Sequence, residues 1–274
     1  MNSLVNEWAI LKSTVVSVMK NPNFQSELAD EGLYGMVVKI QQEVNEEWLY
    51  IETHYGYHGY MHKSHLMIDS SAALKWKEEA DHVIIHPIVD VMAEPKYASY
   101  AIALLTRGAF VRVTGEAEDD WIQVILPQGE KGWIRTSFIK KMEHDCPNEN
   151  EDVFRKKLVD TALSYFGTQY RWGGKSPIGI DCSGLCSMAY MLNGVIIYRD
   201  AILKDEYMKK IDREQMKPGD LLFFPGHVAM YMGEDRYVHA TGREGRVLIN
   251  SLNPDHDDYR EDLEKNITGI GTIF

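Results

Sequence analysis

Residues 16–24 read VSVMKNPNF, and residues 89–97 read VDVMAEPKY. The strings align without a gap at an offset of 73 residues, Val16 to Val89. The match continues through Gly35 with Gly108, Val38 with Val111, Trp48 with Trp121, Gly56 with Gly129, Gly59 with Gly132, Tyr60 with Trp133 and Ser64 with Ser137. This is an internal duplication, so the chain opens with two copies of one structural unit. Each copy holds short alternating apolar runs, MVVKI and WLYIE in the first, FVRVT and WIQVI in the second, with glycine and polar turns between them. Alternation at period two is strand chemistry, one face to a core and the other to water. Units of roughly 55 residues built this way are the size of small closed barrels of about five strands.

Working outward, residues 1–12 form an N-terminal segment, 13–68 the first barrel, 69–85 a connector and 86–143 the second barrel. The polar stretch 144–152, interrupted by Pro147, is a linker, and a domain of different character fills 153–274. That domain begins with a helical stripe of Phe154, Leu158, Ala162, Leu163 and Phe166, which Gly167 would end as a C-cap. The expected class is therefore multidomain, two small all-β barrels followed by an α+β domain. Two or three domains also suit 274 residues, of which 45% are hydrophobic and 26% charged. A net charge of -12 repels phosphate over most of the surface and argues against a nucleic-acid partner. The first 21 residues carry no basic leader region, and Lys12 and Lys20 break the apolar runs, so a cytoplasmic protein without a membrane partner is expected. Cys146, Cys182 and Cys186 are too few and too odd for a disulfide framework and read as free thiols in a reducing compartment.

The chemistry concentrates in the last domain. In GIDCSGL (179–185), Asp181 and Ser183 are helix-start residues, and Leu185, Ala189 and Leu192 follow as a helical stripe. Cys182 thus lies at a helix N-terminus, where the dipole and free N–H groups lower a thiol pKa, and a thiolate is expected at neutral pH. Cys186, one turn deeper, reads as a small buried hydrophobe. Residues 221–241, LLFFPGHVAMYMGEDRYVHAT, form an antiparallel hairpin with His227 on one strand and His239 on the other. The two share a face only if the connecting loop has an odd number of residues, so an odd loop is expected rather than a two-residue turn at Glu234 and Asp235. His227 would then be the base beside Cys182, and His239 would hold its ring and tautomer. One cysteine and two histidines are also legal zinc ligands, but their spacing is wide for a structural site, and no metal or cofactor is expected. His54, His58, His62 and His65 in the first copy read as surface residues.

Four strings, YRWGGKSPIGIDCSGL from Tyr170, MKPGDLLFF from Met216, GHVAMYMG from Gly226 and YVHA from Tyr237, resemble in order the NlpC-type cysteine peptidases of bacterial cell-wall metabolism. The two preceding units resemble bacterial SH3-like domains. The resemblance implies a circularly rearranged papain-like fold with Cys182, His227 and His239 as catalytic residues. It places Tyr170 beside the nucleophile at the developing oxyanion and Trp172 in the pocket wall. The domain arrangement is similar to the γ-D-glutamyl-L-diamino acid endopeptidases of muropeptide recycling, which cut after D-Glu in peptides with a free N-terminal L-Ala. By that analogy Asp181 accepts the ammonium group and Ser183 anchors the peptide. The first SH3-like domain contributes Tyr57 and an acidic residue, Asp30 or Glu31. YRDAILKDEY keeps Arg199, Asp200 and Ala201 of the family's Pro-Arg-Asp-Ser or Pro-Arg-Asp-Ala string, with Asp200 a substrate-binding candidate, but has Tyr198 for proline and no glutamine following. Diaminopimelate and lysine at the third position are not distinguished.

The substrate partner implied is thus a small muropeptide, L-Ala-γ-D-Glu-diamino acid. Competing readings are a secreted hydrolase using the SH3-like copies to bind intact wall, a noncatalytic wall-peptide binder, and thiol acyl transfer or amidase chemistry on the same triad. Oligomeric state is not encoded in any of these features.

Overall fold

The computed structural model describes residues 3–142 and 150–274, which form two compact units, 1–142 and 143–274. Cys146 and most of the expected linker, 144–149, lie outside the described residues. In the first unit one sheet holds β1 (Trp8–Leu11), β2 (Val15–Met19), β3 (Leu28–Leu33), β4 (Val37–Glu43), β5 (Trp48–Thr53), β6 (His58–His62) and β7 (Leu66–Ile68) in the order β3-β2-β6-β5-β4-β1-β7. Helix α1 (Ser70–Glu79), capped by the Asp69 side chain on the Ala72 amide, leads into the second sheet. There β8 (His82–Ile84), β9 (Ile88–Met92), β10 (Ala101–Thr106), β11 (Phe110–Glu118), β12 (Trp121–Ile125), β13 (Lys131–Arg135) and β14 (Ile139–Lys141) run β10-β9-β13-β12-β11-β8-β14.

The second order is the first with every strand seven places on, so the duplication seen in sequence is a duplication of topology. Each copy has seven short strands rather than about five. The copies also start earlier than expected. Trp8–Leu11, assigned to a leading segment, pairs antiparallel with β4 and β7, and His82–Ile84, assigned to the connector, makes the equivalent pairs with β11 and β14. The reason is satisfaction of the ladder, because without β1 the N–H and C=O groups of β4 on that side would be unpaired.

The second unit opens with α2 (Glu151–Leu163), whose Asn150 cap binds the Asp152 amide. It ends at Leu163 with Ser164 as C-cap, so Gly167 lies beyond it and Phe166 is exposed instead of continuing the stripe. A two-stranded ribbon, β15 (Lys175–Ser176) and β16 (Gly179–Ile180), delivers the chain to α3 (Cys182–Met191). All ten residues of α3 are buried, as a helix apolar around its circumference must be. It packs on an antiparallel sheet of β17 (Lys209–Ile211), β18 (Leu221–Phe224), β19 (His227–Gly233), β20 (Arg236–Thr241), β21 (Arg246–Ser251) and β22 (Gly269–Thr272), ordered β17-β22-β18-β19-β20-β21, with the one-turn α4 (Glu261–Glu264) before β22. Leu222, Phe224, Ala229, Tyr231, Tyr237, Leu252 and Ile270 form a core cluster on this sheet.

Arg155, on the buried face of α2, donates from Nη1 to Asp220 Oδ1 at 2.7 Å and to Pro218 O at 2.9 Å, and from Nη2 to Thr272 Oγ1 at 3.2 Å. One guanidinium thereby joins α2, the entry to β18 and the end of β22. Its fork satisfies several acceptors at once, which offsets the desolvation of the pair.

Candidate active site

Asp181 is the N-cap of α3, and its Oδ1 accepts the Gly184 amide at 2.5 Å. This fixes Cys182 as the first helical residue. Gly184 is required there because a Cβ would lie 2.1 Å from Gly174 O, closer than any contact allows. The same carboxylate accepts the Gly173 amide at 2.8 Å, the Ser183 hydroxyl at 3.2 Å and the Arg199 guanidinium at 3.2 and 3.4 Å. Arg199 also donates to Ser183 Oγ at 2.7 Å and to Gly173 O at 3.1 Å. Asp181 and Arg199 are 7% and 3% exposed, so this is a closed ion pair. Asp181, the residue expected to receive a substrate ammonium, thus joins the helix cap, a loop amide and an internal cation through one carboxylate. Ser183, the expected peptide anchor, bonds both Asp181 and Arg199.

The hairpin is built differently from expectation while reaching the expected geometry. Glu234 and Asp235 form a two-residue turn with φ of 52° and 58°, the left-handed pair of a type I′ turn. Such a turn would set the histidines on opposite faces. Met232 is an extra residue between the Tyr231–Tyr237 and Gly233–Arg236 pairs, and this bulge shifts the register by one. Beyond the bulge Met230 faces Val238, which sets Ala229 opposite His239 and returns His227 to the face of His239.

The rings then form a chain. His227 Nε2 and His239 Nδ1 are 2.8 Å apart, His239 Nε2 and Asn250 Oδ1 are 3.0 Å apart, and Asn250 Nδ2 donates to Asp258 O at 2.9 Å. The last contact orients the amide, since a backbone carbonyl only accepts. Asn250 Oδ1 must therefore accept from His239 Nε2–H, leaving His239 Nδ1 to accept from His227 Nε2–H. The basic nitrogen of His227 is then Nδ1. Asn250, on β21 two residues past the Leu248 partner of His239, had not been singled out in the sequence. Its signal was present as an amide within the apolar run RVLINS.

Val228, next to His227, directs its backbone amide at the Cys182 sulfur, as does Ser183. Both hydrogen bonds favour the thiolate. Burial and the Asp181 charge outweigh them and push the thiol up to about 11. Burial lowers His227 to about 3, with His239 adding to the effect, and lowers His239 to about 4. Burial thus opposes the thiolate expected from the helix N-terminus. The helix N-terminus stabilises charge by up to about 2 kcal/mol, less than full burial of a thiolate costs. Cys186, fully buried with its thiol raised well above the ordinary range by burial, packs as expected.

Tyr170 donates its amide to Gly245 O at 2.7 Å, bridges Ile180 and faces Gly242. Burial first, and the Cys182 and Asp181 charges next, raise its hydroxyl to about 12, so it remains a donor near the sulfur. Trp172 is 59% exposed and therefore forms no part of a core. Asp200 lines a narrow cleft whose walls include Ser183, Cys186, Tyr198, Lys204, Tyr207 and Val228. In the first unit Asp30 and Glu31 are buried at consecutive positions of β3, opposite Val18 and Ser17. Asp30 accepts the Tyr55 hydroxyl, and the half-buried Tyr57 donates its amide to Thr53 Oγ1 at 2.9 Å.

Comparison with known proteins agrees with this geometry. The NlpC/P60 family pattern matches residues 167–261, the bacterial dipeptidyl-peptidase SH3 domain residues 18–66, and the bacterial SH3 domain residues 89–140. Dipeptidyl-peptidase 6 of Lysinibacillus sphaericus is 44% identical over 272 residues, covering 97% of this chain and 99% of that protein. The γ-D-glutamyl-L-lysine dipeptidyl-peptidase of Bacillus cereus is 27% identical, over 91% of this chain and 78% of its own length. Among solved structures, an NlpC/P60 family protein from Bacillus cereus superposes with a TM-score of 0.82 at 19% identity, covering 97% of this chain and 99% of the other, a likeness of fold. The chain belongs to the NlpC/P60 family of cysteine peptidases, with two bacterial SH3 domains ahead of the peptidase domain.

Proposed function

We propose that the protein is a γ-D-glutamyl-L-diamino acid endopeptidase that cuts small muropeptides bearing a free N-terminal L-Ala, and that it works on recycled wall peptides in the cytoplasm. The observation that carries this reading is the chain from Asn250 through His239 to His227, whose neighbour Val228 directs its amide at Cys182 on a helix N-terminus. Relatives named as dipeptidyl-peptidases, one of them γ-D-glutamyl-L-lysine-specific by name, support the substrate class.

In the proposed reaction His227 Nδ1 takes the Cys182 proton as the sulfur attacks the γ-carbonyl of D-Glu. The new oxyanion draws on backbone amides at the start of α3 and on the Tyr170 hydroxyl. His227 then gives the proton to the departing amine of the diamino acid. In the second half it activates water, which releases L-Ala-D-Glu from the sulfur. His239 keeps Nε2–H of His227 engaged throughout, so the proton shuttles only on Nδ1. Asp181 and Asp200 are the ammonium-acceptor candidates of the peptidase domain, Asp200 because it lines the cleft and makes no ion pair among the described residues. Trp172 supplies a pocket wall.

The test is mass spectrometry of L-Ala-γ-D-Glu-diaminopimelate, its lysine analogue and their N-acetylated forms, each with the wild type and with Cys182→Ala. The proposal expects cleavage of free-amine peptides only, lost in Cys182→Ala. Equal cleavage of the acetylated peptides would instead favour a general wall hydrolase.

A further inference from the structure

The cleft that Ser183 and Val228 line, the residues next in sequence to Cys182 and His227, has two oppositely charged residues in its walls that do not pair with each other. Ser183, which follows the nucleophile, and Val228, whose amide reaches its sulfur, form one side. Asp200 and Lys204 enter from the loop that follows Arg199. Lys204 Nζ sits 3.6 Å from the centroid of the Tyr198 ring, and Tyr207 lies 5.9 Å from Tyr198. The backbone of Lys204 is held in place because its carbonyl accepts the amides of Tyr207 and Met208, each at 3.0 Å. Among the described residues Lys204 makes no ion pair, although the chain carries a net charge of -12. A half-buried ammonium against an aromatic face keeps its N–H donors for a further acceptor, since a cation–π contact uses the charge and leaves the other donor directions open.

Chemistry identifies that acceptor. A γ-linked glutamyl residue has spent its side-chain carboxyl in the scissile bond, so its α-carboxylate is free and lies a few bonds from the attacked carbonyl. On the γ-D-glutamyl reading, on which this inference rests, the acyl half of the substrate carries one ammonium and one carboxylate, matching the two charges of the cleft. We propose that Lys204 is a specificity-determining residue that binds the α-carboxylate of the D-glutamyl residue, with Tyr198 holding the ammonium in position. The enzyme then prefers stems with a free α-carboxylate over stems amidated there to D-isoglutamine, in which a neutral carboxamide replaces the anion.

The experiment compares kcat/KM for L-Ala-γ-D-Glu-L-Lys and its α-carboxamide counterpart in the wild type, Lys204→Gln and Lys204→Arg. The wild type is expected to favour the carboxylate by at least about tenfold, the scale of a charge-assisted hydrogen bond. Lys204→Gln should bring the ratio within about twofold of unity, chiefly through KM, and Lys204→Arg should restore it. An unchanged ratio in Lys204→Gln overturns the proposal while leaving the peptidase reading intact. A second readout does not require turnover: titration calorimetry of Cys182→Ala, alone and combined with Lys204→Gln, with L-Ala-γ-D-Glu and with its α-amide. Tighter binding of the carboxylate form, lost with Lys204→Gln, sustains the proposal even if neither tripeptide is cut. Equal binding of the two dipeptides overturns it.

Discussion

At the residue scale the site is a problem of tautomers. Asn250 acts through His239 and touches no reacting atom, so it is a positioning residue. Asn250→Ala should lower kcat roughly 10- to 100-fold with little change in KM, the scale found when an outer hydrogen-bond partner of a functional histidine is removed. Asn250→Asp keeps an acceptor for His239 Nε2–H and should recover most of kcat, while its charge raises the histidine pKa and shifts the acid limb of the pH profile upward. Equal loss in both variants would assign Asn250 to structure alone. The thiol is a separate question. Because burial pushes Cys182 up to about 11, iodoacetamide alkylation of the resting enzyme should accelerate up to and beyond pH 9. A fast plateau from pH 5 would reveal a resting thiolate–imidazolium pair. Cys182, His227 and His239 were legible in the sequence because each sits in a short motif. Asn250 and the Asp181–Arg199 pair were not, since both arise from partners brought together by folding, 11 residues apart across a hairpin and 18 apart across α3 and the loop after it.

At the element scale two devices place Cys182 and His227. The first is the contact of α3 with the loop before it, where Gly184 has no room for a methyl group. Gly184→Ala should therefore destabilise the fold by about 1–3 kcal/mol, the usual cost of overpacking, and this can be read as a shift in the urea midpoint. The second is the bulge at Met232. Alternation along the strands led to an odd loop, because parity was assigned to the turn alone; the hairpin combines an even turn with an odd bulge, which sequence alternation does not distinguish. Deleting Met232 should send His227 to the opposite face and abolish turnover while the sheet persists by circular dichroism. The same limit explains the domain bounds. Strands β2 to β7 recur as β9 to β14 with recognisable residues, whereas β1 and β8 share only the apolar character of Ile10 with Val83 and Leu11 with Ile84, too little to extend the repeat by eye.

At the scale of the whole molecule, burial of neutral histidines ties stability to pH. His227 and His239 ordinarily titrate near 6.5 and are lowered to about 3 and about 4 in the fold. Between those values and 6.5 the unfolded chain binds more protons than the native one, so stability is lost as pH falls from about 6.5. The two histidines bound that slope at about 2.7 kcal/mol per pH unit. Cys182 acts oppositely: its thiol is raised above 9, so the native state holds the extra proton and stability falls as pH rises from 9 toward 11. Urea unfolding at pH 7 and pH 5 should show the acid loss, reduced by about half in His239→Gln, and an unchanged slope would place the histidines in water. The order of domains was legible because the repeat and the peptidase motifs occupy separate stretches, and the strand topology of each copy repeats accordingly. The central claim, that Cys182 carries the acyl group, is tested most directly by mixing the enzyme with L-Ala-γ-D-Glu-L-Lys, quenching in acid within milliseconds to seconds, and mapping peptides by mass spectrometry. The account predicts an L-alanyl-γ-D-glutamyl thioester on the peptide containing Cys182, absent in Cys182→Ala. Turnover that persists in Cys182→Ala, or an acyl group found on Cys186, would contradict it.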